Sequence, residues 1–174
     1  MCVLVVKRDK DGKLLRAKSQ IVVLGNSEDC LYQKSQRYAP FLKYSSLLLL
    51  TAKSVGDKRI LQQGDCKNAF WNATIPDDEV TVIRPPIGNP DFQEDEYWLL
   101  NKTLYGLPRS PYHWYNTIKG ILLNMGLKAS PHDPCLISGI LDNPSPPQTI
   151  SESQPQLPIG LCVDDFVFYS SGPT

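Results

Sequence analysis

The sequence predicts an α+β fold, an antiparallel sheet packed on helices, and three observations carry that prediction. Two strand-like runs near the start, at 3–6 and 20–24, are joined through the turn-prone Asp9-Lys10-Asp11-Gly12. Two stretches repeat apolar residues at helical spacing, one through Leu47, Leu50 and Ala52, the other through Trp114, Ile118, Ile121, Leu122 and Met125. Short runs of Val, Ile, Leu and Phe, at 135–141 and on either side of Asp164-Asp165, supply further strands.

Each helix has its own start and stop signals. Ser45 or Ser46 can cap the first, which runs to about Gly56. The second is better marked: Ser110 stands at the N-cap, Pro111 at the first helical position, and Gly126 closes it. Residues 144–158 are rich in Pro, Ser and Gln and nearly devoid of apolar side chains, which predicts a flexible loop. It separates two strands of one sheet, so it reads as an insertion and not as a domain linker. No internal repeat is present.

Composition sets the outer limits. At 174 residues the chain is long enough for one domain with a real core. Five cysteines form an odd set without C-x-x-C spacing, and His113 and His132 are the only histidines, which argues against a disulfide framework or a structural zinc site. These features, with no signal-peptide layout at the N-terminus, point to an intracellular setting, cytoplasmic or nuclear, and not a secreted one. The longest apolar run, Leu47 to Leu50, is far too short to span a bilayer, so no membrane partner is expected. Net charge is zero, but its distribution is uneven. Residues 1–60 hold twelve Lys and Arg against five Asp and Glu, a balance of +7, and residues 61–174 hold six against thirteen, a balance of −7. A basic half can follow phosphates while an acidic half gathers cations; a solvated basic hairpin would have the same composition.

The most informative segment is Ile159-Gly160-Leu161-Cys162-Val163-Asp164-Asp165-Phe166-Val167, two adjacent carboxylates in an apolar run where unpaired charge is costly to bury. A plain hairpin turn accounts for them equally well on this segment alone, because Asp suits turns. A third acid, Asp65, follows a similar short strand-like run. Three carboxylates at neighbouring strand ends suit a hard divalent cation, which takes oxygen ligands.

Four blocks now stand in order: DCKNAFWNATIPDDEVTVIRPPIG from Asp65, WLLNKTLYGLPRSPYHWY from Trp98, GLKASPHDPCLI from Gly126 and GLCVDDFVFYS from Gly160. Together they resemble the reverse transcriptase domain of copia-like retrotransposons, and KRDKDGKLLRAKSQIVVLGN extends the likeness to a finger hairpin. The resemblance implies fingers over residues 1–60 and a partial palm over 61–174. The implied activity is RNA-directed DNA polymerase, within a Pol polyprotein. Its cofactor would be Mg²⁺, two ions, with Mn²⁺ as a substitute; its partners would be an RNA or DNA template with primer and deoxynucleoside triphosphates. By the same resemblance Asp65 and Asp164 would bridge the ions, with Asp165 more peripheral. Phe70 would stand beneath the incoming sugar, where a ring excludes a ribose 2′-hydroxyl, and Lys18 and Arg109 would meet phosphate or template. An ordinary core place for Phe70, and exposed places for the two cations, are the plainer alternatives.

Departures accompany the matches. Cys162 stands where the family has a primer-proximal tyrosine, Gln20 where a hairpin arginine is common, and Leu48 at about the place of a further arginine. The family continues into a thumb and a ribonuclease H domain, whereas this sequence ends at Thr174. Weak or absent synthesis by the isolated chain, uncovered apolar surface and poor solubility are therefore expected. Two other readings stand beside the polymerase: a non-catalytic nucleic-acid-binding remnant using the basic half, and an unrelated α+β domain with an ordinary Asp-Asp turn.

Overall fold

The computed structural model describes residues 2–25, 37–86, 95–140 and 156–170. It is α+β, as the sequence predicts, and divides into two compact units interleaved along the chain. One joins Met1–Tyr38 to Phe70–Trp114, and the other joins Ala39–Ala69 to Tyr115–Thr174. The helix Tyr44–Gly56 packs on the sheet of the second unit.

The first unit opens with a hairpin of β1 (Cys2–Arg8) and β2 (Leu14–Ile21), paired from Cys2↔Ile21 to Arg8↔Leu14 with a bulge at Lys7/Arg8. The second strand thus starts six residues before the predicted 20–24, because the turn is tight. The Asp9 carboxylate accepts the N–H groups of Asp11 and Lys13 and sends the chain straight back. Directly opposed residues share a face, so Lys7, Arg16 and Lys18 lie on one side of the hairpin, and Leu4, Val6 and Ala17 on the other. The apolar side is solvent-exposed, Leu4 by 75%. A 3₁₀ turn, Ala69–Asn72, leads to a small sheet of β4 (Val82–Ile83) and β5 (Trp98–Leu99).

The second unit is built on one antiparallel sheet. Its strands are β3 (Ile60–Asp65), β6 (Lys128–Ala129), β7 (Leu136–Ile140), β8 (Gln156–Cys162) and β9 (Asp165–Ser170), in the order β3-β9-β8-β7-β6. The predicted loop at 144–158 lies outside the described residues up to 155; its last three positions belong to β8, where Pro158 pairs with Ser138. The β8–β9 register begins only at Ile159, so the missing N–H of Pro158 forgoes no bond on that side.

Helix α1 (Tyr44–Gly56) begins one residue before Ser45, and neither serine acts as the N-cap: Lys43 does, without a side-chain cap. Its Leu50 approaches β8 where Gly160 leaves room; a Cβ there would stand 3.0 Å from Leu50 Cδ1. Helix α2 (Ser110–Asn124) spans the point of division, between Trp114 and Tyr115. The first helical bond runs from the His113 N–H to the Arg109 carbonyl, so Ser110 lies one residue inside the helix and not at its N-cap, and its hydroxyl donates to the Leu104 carbonyl at 2.6 Å. The C-terminus follows the sequence signal closely. Gly126 takes φ +88°, its N–H bonds the Leu123 carbonyl, and the Leu127 N–H bonds that of Leu122, a Schellman closure. Leu122 and Leu127 then join Cys135, Ile137, Ile159 and Leu161 in the core, with Tyr115, Ile118, Phe166 and Phe168 against it. The helix buries a narrower stripe than predicted: Ile121 and Met125 are each half exposed.

Candidate active site

The register of the second unit brings two of the three predicted acids face to face. Asp65, last in β3, pairs with Asp165, first in β9, and Asp165 pairs in turn with Cys162, last in β8. The three side chains form a row on one face of the sheet, because opposed residues point the same way. Asp164 lies in the intervening turn, as a plain hairpin reading would also have it. The main chain fastens these ends together: the Cys66 N–H donates to the Asp164 carbonyl at 2.7 Å. Asp164 Oδ1 is shielded from solvent, while Asp65 is exposed and Gln63 Nε2 donates to Asp165 Oδ1 at 3.4 Å.

The turn has only Val163 and Asp164 between its strands, and Val163 adopts φ +56°. A positive φ at the first central position matches the twist of a two-residue hairpin. A β-branched residue there is strained by roughly 1–3 kcal/mol, and such outliers gather at functional sites.

The donor set fits a hard divalent cation in kind, since three carboxylates offer oxygen alone. In placement it is open: among the described residues no group of three His, Cys, Asp or Glu side chains converges closely enough to hold a metal ion. Burial raises the Cys162 thiol above its usual range, and the charges of Asp165 and Asp133 raise it further.

Asp133 is a buried carboxylate that sequence reasoning missed. Its Oδ2 accepts the Lys43 N–H at 2.9 Å and its Oδ1 the Cys135 N–H at 3.0 Å, while Lys43 Nζ bonds the His132 carbonyl. Burial alone would raise its pKa, but the Ser46 hydroxyl, those N–H groups and the Lys43 charge hold it below the ordinary value. Asp133 thus anchors the residue at which α1 begins, although it bonds the N–H of Lys43 itself and not an N–H inside the helix. The Asp133-Pro134 dipeptide, with its turn preference, was the available signal.

The remaining predicted residues fall in the first unit. Phe70 is buried in the 3₁₀ turn, its ring 4.6 Å from that of Tyr105. Lys18 is exposed on the basic face of the hairpin. Arg109 is not exposed. It is ion-paired through Nη1 to Glu79 Oε2, and His113 Nε2 lies 3.0 Å from the same oxygen. Burial lowers the His113 pKa, Glu79 opposes that shift and Arg109 adds to it. Glu79 was not singled out in the sequence, since one acid in DDEVT carries no mark of its partner.

The fold and these strand ends define an α+β chain with a carboxylate site at the tip of an antiparallel sheet. The family model for reverse transcriptase (RNA-dependent DNA polymerase) matches residues 2–173, and the chain belongs to that family. It is 31% identical over 131 residues to a retrovirus-related Pol polyprotein from transposon RE1 of Arabidopsis thaliana, and 30% over 131 to that from transposon RE2. The corresponding polyprotein from transposon TNT 1-94 of Nicotiana tabacum is 25% identical over the same length. Each match covers 75% of this chain but only 9–10% of the relative, so the chain spans about a tenth of the curated proteins it matches. No solved structure matches it significantly. Family membership removes the reading as an unrelated domain.

Proposed function

We propose that this chain is the fingers and partial palm of a retrotransposon reverse transcriptase, an RNA-directed DNA polymerase within a Pol polyprotein. The observation that carries the reading is the direct opposition of Asp65 and Asp165, with Asp164 between the strands, in a chain of this family. Asp65 and Asp164 would hold the divalent cations, with Asp165 at the periphery. Mg²⁺, or Mn²⁺ in its place, would supply when bound the positive charge that acidifies a primer hydroxyl and neutralises a triphosphate. Without it, neighbouring carboxylates would repel one another.

The chain's own groups do the rest. Phe70 sits below the deoxynucleotide sugar and leaves no space for a 2′-hydroxyl. Lys18 meets phosphate from the hairpin. Arg109 is the less available cation, because Glu79 already answers its charge. The template-primer and deoxynucleoside triphosphates are the substrates, and other parts of the polyprotein assist in holding them. Turnover by this chain alone is weak, since Cys162 offers no ring to a primer terminus and Gln20 and Leu48 replace cations.

A titration with Mn²⁺ followed by electron paramagnetic resonance tests the assignment without requiring turnover. Saturable binding that is lost in Asp65→Asn and Asp164→Asn is the expected result. Binding unchanged in both variants would overturn it.

A further inference from the structure

Phe70 does not stand alone in the first unit. Its ring packs on Tyr105 at 4.6 Å between centroids with the planes 54° apart, and the Thr103 hydroxyl donates to its carbonyl. The main chain of Tyr105 is tied in turn to the segment that leaves β2: the Val23 N–H donates to the Tyr105 carbonyl at 2.8 Å. The approach there is as close as backbone permits. A Cβ on Gly106 would lie 2.0 Å from the Val23 carbonyl oxygen, and one on Gly25 would lie 2.0 Å from that of Gly106. Gly106 also takes φ +93°, which side chains rarely adopt. A continuous line therefore runs from the hairpin, through Val23, to Tyr105 and the Phe70 ring.

We infer that Tyr105 is a positioning residue for Phe70, a strut by which the hairpin end fixes the pose of the ring and hence the choice of sugar. The inference rests on the reading of Phe70 as the residue below the incoming sugar. A buried ring held on one face by another ring cannot tilt without moving it. The space at a 2′-hydroxyl is set by that tilt, so Tyr105 acts on specificity without touching the nucleotide. The hairpin that carries Lys18 is connected to the same ring, so displacement of Val23 reaches the gate.

Two measurements test this. The Phe70 ring signal, followed by NMR in chain carrying ¹³C-labelled phenylalanine, is expected to shift in Tyr105→Leu and in Gly106→Ala, and to stay near its wild-type position in Tyr105→Phe. An unmoved signal in folded Tyr105→Leu overturns the strut, whether or not the chain extends a primer. Primer extension then compares kcat/KM for deoxynucleotides and ribonucleotides. Phe70→Ala is expected to abolish the preference, Tyr105→Leu to reduce it about tenfold with deoxynucleotide kcat largely kept, and Tyr105→Phe to restore it. A preference untouched by Phe70→Ala contradicts the gate itself. A preference lost in Phe70→Ala yet intact in Tyr105→Leu contradicts the strut alone.

Discussion

Asp133 couples a loop to the start of α1 through one carboxylate, and its chemistry makes a pH-dependent contribution to stability. Its folded pKa lies below the ordinary value of 3.8, so the contribution is complete above that value and disappears as pH falls through the folded pKa. Asp133→Asn keeps the shape but not the charge, and is expected to cost roughly 1–3 kcal/mol at neutral pH. Thermal melts of the two proteins should converge on acidification; a constant gap down to strongly acid pH would show that charge is not the cause. Val163 offers the opposite case. Val163→Gly removes a β-branched residue from φ +56° and is expected to stabilise the chain by about 1 kcal/mol, read as a higher melting temperature. A lower one would mean that valine packing outweighs the strain. At this scale the sequence was informative where a residue type has a narrow use, as with Gly126, and silent where a partner is remote, as with Glu79 and Asp133.

At the scale of elements, pattern and register divided the work. The helix that ends at Gly126 was legible because cap residues and apolar spacing agree, yet Ile121 and Met125 fit the spacing and remain half exposed. Periodicity names a face but not its width, which depends on what the sheet offers. The strands flanking Asp164-Asp165 were legible as apolar runs, whereas the pairing of Asp65 with Asp165 is a matter of register between segments one hundred residues apart. The meeting of these strand ends was therefore suggested by motif order and not by local chemistry. The β1–β2 hairpin carries a separable prediction. Lys18→Glu places an acid among Lys7 and Arg16, and is expected to weaken RNA affinity and to lessen its salt dependence by about one ion, measured by fluorescence anisotropy across a salt series. An unchanged slope would remove Lys18 from the phosphate contacts.

The whole molecule combines a basic first third with an acidic remainder, +7 against −7, and this asymmetry survives as structure in the basic face of the hairpin and the acid row of the sheet. Leu4 and Leu15 on one unit, and Leu49 and Val55 on the other, are exposed apolar side chains. No helix of the described residues is long and apolar enough to cross a membrane. We propose that Asp65, Asp164 and Asp165 form a working polymerase site despite Cys162. Primer extension on an RNA template, with Mg²⁺ or Mn²⁺, by the wild-type chain and its Asp164→Asn, Asp165→Asn double variant tests it most directly. Slow, metal-dependent incorporation of deoxynucleotides that the double variant lacks is the expected result; no incorporation by a folded wild-type chain, or equal incorporation by the variant, would overturn the assignment.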